Sequence, residues 1–428
     1  MFDVFSISGF QLPKDFLWGS ATAGHQVEGN NKDSDFWYRE MQAQKRNPNA
    51  CVSGWACNSY EMWRDDVELL SKLKHQVYRM SMEWARIEPR EGEFNQKEVD
   101  HYVRIFSFLK EKGIKLCLTI VHCSLPQWFY EKGGLGNIEN LHYFERYLEY
   151  ILPKISSFVD FWCVLNEFNL SSGDFKYNAI QFHARGYHVI KKYSSKPISS
   201  AHALIQYESM ALRDRFDDAL SAYKDALNNE FFFHAIRTGE LVVYDKDVLY
   251  SKEIKDSVDY WAINTYVRNS VNSRVAKSNC FTERYDFEKI DMIDEAFYLN
   301  KINPESIVHN LSRLKDKPVY ITENGCACND DNFRIIFIAE YLSAINQAIK
   351  LGVDVKGYLY WSLLDNYEWG SYKPRFGLVD VDRNNGFKRT IKESGYFLRE
   401  IIEKNGFSQE MLKRYLKEIP KATYHLNK

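Results

Sequence analysis

Two apolar runs in this chain each close on a glutamate. Val319, Tyr320, Ile321 and Thr322 are β-branched or aromatic, with Pro318 before them and Asn324-Gly325 after Glu323, so this run reads as a short buried strand that stops abruptly with Glu323 as its last residue. Asp160-Phe-Trp-Cys-Val-Leu-Asn-Glu167 repeats the pattern, with Asn166 beside the second carboxylate. Taken singly, a strand-end glutamate is most often a solvated residue or an ion-pair partner. Two of them at the mouth of one parallel barrel are the minimum needed to cleave a glycosidic bond, one carboxylate attacking and the other serving as acid and then base.

The elements that must hold such a pair recur along the chain. Strands are predicted at 16–23, 76–84, 115–122, 160–167, 198–204, 259–266, the run ending at Glu323, and 355–363. Helical spacing predicts helices at 58–74, 98–112, 141–157, 175–192, a long helical region at 206–238, 332–350 and 390–404. In 332–350, Ile335, Ile338, Ala339, Leu342, Ile345 and Ile349 fall on one face. Residues 267–303 have no sustained period and read as an irregular excursion. Eight strands alternating with helices, and no linker dividing them, give the α/β class and a single (β/α)8 TIM barrel spanning 1–428.

Composition permits this reading and excludes others. With 428 residues, 45% hydrophobic and 15% aromatic, the chain can build a large core, and its Trp, Tyr and Phe are what sugar-stacking surfaces draw on. A net charge of −2 without long like-charge runs points away from nucleic acid and membrane surfaces. No run approaches a membrane span and the first residues lack a basic-then-apolar leader, so a cytoplasmic protein is expected. Of the eight cysteines, Cys117 and Cys163 fall inside predicted buried strands, and a disulfide framework is not expected. Cys326-Ala-Cys328 is half of a metal site without a second pair, so no metal or cofactor is expected.

Seven pieces, in this order, carry a family resemblance. They are Phe16-Leu-Trp-Gly-Ser-Ala-Thr-Ala23 with Gln26 and Glu28, Arg79-Met-Ser-Met-Glu-Trp-Ala-Arg-Ile-Glu-Pro89, His122, Asn166-Glu167, Asn264-Thr-Tyr266, Ile321-Thr-Glu-Asn-Gly325, and Trp361 to Trp369 followed by Arg375-Phe-Gly377. Over nearly its whole length the chain resembles glycoside hydrolase family 1, the retaining β-glucosidase and β-galactosidase group. The resemblance implies that Glu323 is the nucleophile and Glu167 the acid/base. It further implies that Asn166 binds the 2-hydroxyl, that Gln26, His122 and Glu368 bind the other hydroxyls, and that Trp361 and Trp369 supply ring faces and an indole N–H. Arg79, Asn264, Tyr266 and Phe376 would support them, Arg79 pairing with Glu323 and Tyr266 hydrogen-bonding it. The expected partner is a small β-glycoside or oligosaccharide, unphosphorylated because Glu368 stands where 6-phospho-β-glycosidases place Ser, and Pro374 and Phe376 where they place Lys and Tyr. Oligomeric state is not legible.

The chain also departs from the family pattern. Cys123 follows His122 where Trp is usual, with Trp128 expected to replace part of that surface; Phe168 replaces the proline after the acid/base; Thr265 replaces an aromatic; and the stretches after Glu167 and between Trp369 and Arg375 are short. These changes spare the carboxylate pair and bear on the aglycone side. They leave two alternatives to hydrolysis: transglycosylation by the same residues, or a retired sugar-binding barrel.

Overall fold

A computed structural model describes residues 4–171, 173–211, 214–243, 246–266, 268–274 and 303–418. Eight parallel strands close into a barrel: β1 Leu17–Ala21, β2 Val77–Ser81, β3 Lys115–Val121, β4 Phe161–Asn166, β5 Ile198–Ala203, β6 Trp261–Asn264, β7 Val319–Asn324 and β8 Val355–Trp361. Neighbours follow chain order, and β8 returns to β1 through Gly357↔Leu17 to Trp361↔Ala21. Every strand falls on a run predicted as one, so the chain folds as a (β/α)8 barrel. Strands covered on both faces need near-continuous apolar sequence, which is what made them legible.

Inward-facing side chains fill the barrel in layers. Val77, Cys117 and Leu359 pack with Leu17 and Phe161, and Cys163, Ala201, Tyr260 and Ala262 pack with Tyr320. Two residues beyond Val77, the inward position is Arg79, wholly buried. From there toward the C-terminal ends the lining turns polar, with Thr119, Asn166, Asn264 and Glu323 all buried. The pairing register shifts just before Asn166, between Ile263 and Asn264, and between Ile321 and Asn324. Irregularities of this kind re-aim side chains, and here they fall at the ends of β4, β6 and β7, beside Asn166, Asn264 and Glu323.

Helices cover the outside much as predicted, at Ser59–Lys72, Gln96–Glu111, Leu141–Ile155, Gly173–Lys191, Asp331–Lys350 and Glu393–Lys404. Asp331–Lys350 is buried on nearly every side rather than on one, because the N-terminal segment and the C-terminal helices cover its outer face; Glu340 accepts from the Val4 N–H at 3.2 Å. The long helix expected at 206–238 does not form as one piece. Gln206–Ser209 is a strand paired in parallel with Arg268–Val271, a partner too distant in sequence to leave a local signal. Helix begins at Arg215, where the Asp214 carboxylate accepts from the Phe216 and Asp217 N–H groups, passes through a π-turn at Ala226–Glu230 and ends at Gly239. Likewise Lys388–Ile391 pairs with Val379–Asp382, delaying the last barrel helix to Glu393. The irregular excursion expected at 267–303 lies mostly outside the described residues. Among the described residues no helix is long and apolar enough to cross a membrane.

Candidate active site

Glu323 sits next to last in β7 and not last as expected, because the strand continues to Asn324. Its Oε1 forms an ion pair with Arg79 and its Oε2 accepts from the Tyr266 hydroxyl at 2.8 Å. Arg79 reaches it from β2, braced by Thr119 Oγ1 at 3.0 Å and Asn166 Oδ1 at 2.6 Å. Glu167 follows the last residue of β4 with φ +49° and ψ +30°, a left-handed turn rather than strand. The residue before a proline is disfavoured in helical conformations, so Phe168 in place of proline suits this turn. Glu167 Oε1 accepts from Asn264 Nδ2 at 3.0 Å, and the same amide donates to Asn166 Oδ1 at 3.1 Å. A continuous polar network therefore joins the two carboxylates, with Thr322 donating to Asn264 Oδ1 at 2.7 Å.

Burial sets the charges here. It pushes Glu167 up to about 8, with the charge of Glu323 adding to it. Glu323 is raised by burial as well, but the Arg79 charge and hydrogen bonds from Arg79, Tyr266 and Asn264 pull the other way. Burial and the neighbouring Arg79 hold His122 well below its ordinary value, so it is neutral.

Gln26 follows β1, its Nε2 donating to the Tyr367 carbonyl at 2.8 Å and to Glu368 Oε2 at 3.1 Å. Burial, then the charge of Glu323, pushes Glu368 up to about 8. His122 stacks on Trp361 at 5.8 Å with its Nε2 4.0 Å from Glu323 Oε1. Two buried polar atoms in this group, Gln26 Oε1 and His122 Nδ1, have no partner among the described residues. A hydroxyl-rich ligand would supply one. Trp369 lies at the rim, 37% exposed, stacked on His25 and tilted against Phe36. Phe376 is fully buried and meets Tyr266 edge-on at 6.5 Å, in one cluster with Trp361. Among the described residues no group of three or more His, Cys, Asp or Glu could hold a metal.

The structure thus gathers the sequence-selected residues around one polar end of the barrel. Trp128, expected to take over part of the surface lost at Cys123, is held by its indole donating to the Glu88 carbonyl at 2.9 Å and by edge-on packing against Trp84 and Tyr143. Cys123, in a left-handed conformation, stands beside Asn166 with its sulfur 4.0 Å from Nδ2. Thr119 and Thr322 were not singled out from the sequence; Thr119 interrupts the run Leu-Cys-Leu-Thr-Ile-Val121, which marks a polar lining position without saying what it meets.

The sequence matches the Glycosyl hydrolase family 1 profile over residues 9–222 and 177–407. The chain belongs to this family. β-Glucosidase A of Acetivibrio thermocellus is 28% identical, with 94% of this chain and 100% of that protein covered. β-Glucosidase A of Thermotoga maritima is 31% identical, covering 92% and 98%. Among solved structures, a β-glycosidase from Pyrococcus horikoshii matches with a TM-score of 0.84 at 31% identity, covering 96% of this chain and 99% of that one. A family 1 β-glucosidase from Thermotoga maritima in complex with isofagomine lactam matches with a TM-score of 0.83 at 29% identity, covering 94% and 100%. Family 1 enzymes are retaining β-glycosidases, and this chain is an O-glycosyl hydrolase of that kind.

Proposed function

We propose that Glu323 is the nucleophile and Glu167 the acid/base of a single-barrel β-glycosidase that prefers unphosphorylated β-D-glucosides, with β-D-galactosides and fucosides as further candidates. The observation that carries the assignment is the unequal bracing of the two carboxylates. Glu323 is held at both oxygens by a cation and a phenol, which favour its charged form and aim it. Glu167 is touched by one neutral amide and lies near a second negative charge, which favours its protonated form. In the first step Glu323 attacks the anomeric carbon while Glu167 gives its proton to the departing oxygen. In the second, Glu167 takes a proton from water, which displaces Glu323.

Asn166 binds the 2-hydroxyl, Gln26, His122 and Glu368 bind the remaining hydroxyls, and Trp361 and Trp369 offer ring faces. The unpartnered Gln26 Oε1 and His122 Nδ1 support that reading. Preference for a neutral 6-hydroxyl rests on charge. Glu368 is a carboxyl group, and Arg375, the arginine of the Arg375-Phe-Gly377 piece, is committed to Asp365 at 3.1 Å and to Asp380. Every cysteine among the described residues is a free thiol, which fits a reducing compartment such as the cytoplasm.

The test is Glu323→Ala. Hydrolysis of an aryl β-glucoside should be abolished, and added azide should restore aryl release with an α-glycosyl azide as product. Full activity in this variant would sink the assignment.

A further inference from the structure

Three residues beyond Glu323 the chain carries Cys326-Ala-Cys328, which the reaction above does not use. Both thiols are buried, 2% and 1% exposed, and their sulfurs stand 3.8 Å apart. The surroundings are donor-rich. Arg334, itself 1% exposed, donates through Nη2 to the carbonyls of Cys328 and Arg375, while its Nε–H has no acceptor among the described residues. The Tyr360 hydroxyl, within electrostatic range of both thiols and of Arg334, is also without a partner among the described residues. The Arg334 charge, near both thiols, favours a thiolate at this end of the pair. Burial opposes ionisation of both thiols. At Cys328 the hydrogen bond from Cys326 and the Arg334 charge outweigh it and draw the thiol below its ordinary value, whereas Cys326 is held well above.

We propose that Cys326 and Cys328 are a peroxide-oxidised dithiol whose disulfide switches the glycosidase off. Residues two apart have Cα atoms at most about 7 Å from each other, within reach of a disulfide, so the sulfurs have only to close from 3.8 Å to about 2.05 Å. The Cys328 thiolate attacks one oxygen of a hydroperoxide; the S–O bond forms, the O–O bond breaks, and the departing alkoxide or hydroxide takes a proton. The Cys326 sulfur then attacks the Cys328 sulfenic acid, its proton leaving with the displaced hydroxyl as water. In sum two thiols and one hydroperoxide give a disulfide, an alcohol or water, and one further water. A thiol reductant reverses it by exchange. Burial at 1–2% favours a small hydroperoxide as oxidant, and a small dithiol reaches the disulfide when the loop opens locally.

The link to the site is packing. Ala327, between the cysteines, belongs to the same buried cluster as Tyr266, Trp361 and Phe376. Gly325 approaches so closely that a Cβ there would lie 1.8 Å from the Trp361 carbonyl oxygen, so the loop cannot shift without moving the wall of the site. Closing the sulfurs draws this loop in and displaces the groups around Glu323.

The test uses reduced full-length protein, hydrogen peroxide, and trypsin digestion without reductant after alkylation in denaturant. The peptide 316–334, which holds both cysteines, should appear unalkylated and about 2 Da lighter than its dithiol form. Aryl β-glucosidase activity should fall on the order of tenfold, as displaced reacting groups cost rates of that size, and return with dithiothreitol. Cys326→Ser and Cys328→Ser, assayed separately, should lose the reversible part of the inactivation. Two alkylated thiols in 316–334 after exposed Cys51 has been oxidised overturn the proposal, with or without soluble variants. A disulfide formed without loss of activity overturns the coupling. The activity readout rests on the function proposed above, but the peptide mass does not, so the two failures are distinguishable.

Discussion

The Tyr266 hydroxyl donates to Oε2 of Glu323 at 2.8 Å, on the opposite side of the carboxylate from Arg79. Tyr266 follows β6 by two residues, and its ring is backed by Phe376, so the phenol belongs to a packed wall rather than a loose loop. Asn264, at the end of the same strand, meets Glu167. One strand end thus steadies both carboxylates. That is the barrel's usual economy, in which rigid strands aim side chains into a single mouth.

Removing the Tyr266 hydroxyl should therefore tax the reaction without unfolding the protein. A hydrogen bond to a charged group contributes about 1.5–3 kcal/mol, so Tyr266→Phe should lower kcat/KM for an aryl β-glucoside by about tenfold to a hundredfold. Steady-state kinetics with a melting curve in parallel would check this. Unchanged kcat/KM would mean that Oε2 needs no donor.

The barrel was legible because its strands are buried on both faces and its helices carry a regular period. The two carboxylates were legible because each ends such a strand. What escaped was set by distant partners. Gln206–Ser209 is a strand only because Arg268–Val271 lies beside it. Trp128 looked available for the sugar surface, yet Glu88 and Trp84 had already claimed it. Thr119 could not be matched to a partner without the fold, which brings its hydroxyl to the Arg79 guanidinium although the β2–β3 register pairs it with Ser81.

The pH profile should follow Glu167. Its carboxyl is pushed up to about 8, so it holds its proton at neutral pH, and kcat/KM should fall as pH rises through that region. In Glu167→Gln the basic limb should disappear. Aryl glucosides with poor leaving groups should lose about 10²–10⁴-fold, and dinitrophenyl glucosides, which need no proton to depart, should lose much less in the glycosylation step. Equal losses for both substrates would assign the proton to another group.

The same burial makes a stability prediction with a definite sign. Glu368 rises from 4.5 to about 8 on folding, so the folded protein binds its proton more tightly than the unfolded chain. That contribution is complete below 4.5 and is lost as pH climbs through 8, a loss on the order of a few kcal/mol. Glu368→Gln cannot ionise there. Its melting temperature should match or trail that of the parent at pH 5 and exceed it at pH 8.5, by calorimetry on both. A difference independent of pH would mean that Glu368 is solvated and titrates normally.

Discrimination against a 6-phosphate follows from the groups around Glu368. A phosphate brings close to two negative charges into a site that already holds the Glu323 carboxylate and where Glu167 and Glu368, both pushed up to about 8, supply no positive charge to meet it. Holding that charge requires an available cation, but Arg79 is spent on Glu323 and Arg375 on Asp365 and Asp380. Lys373 has an exposed side chain, on a segment where Ser371 accepts from its backbone N–H at 3.1 Å. Its ammonium would have to leave water to reach a buried phosphate. The plain aryl β-glucoside should therefore show the higher kcat/KM, by about tenfold or more over the 6-phosphoglucoside, since one unfavourable buried charge contact costs upward of 1.4 kcal/mol. Glu368→Ser should lose activity on the plain glucoside, because a lone hydroxyl offers the 4- and 6-hydroxyls fewer hydrogen bonds than a carboxyl group does, while narrowing the gap to the phosphorylated substrate. A wild-type preference for the 6-phosphoglucoside would mean that Lys373 or another cation enters the site and that Glu368 does not face the 6-position.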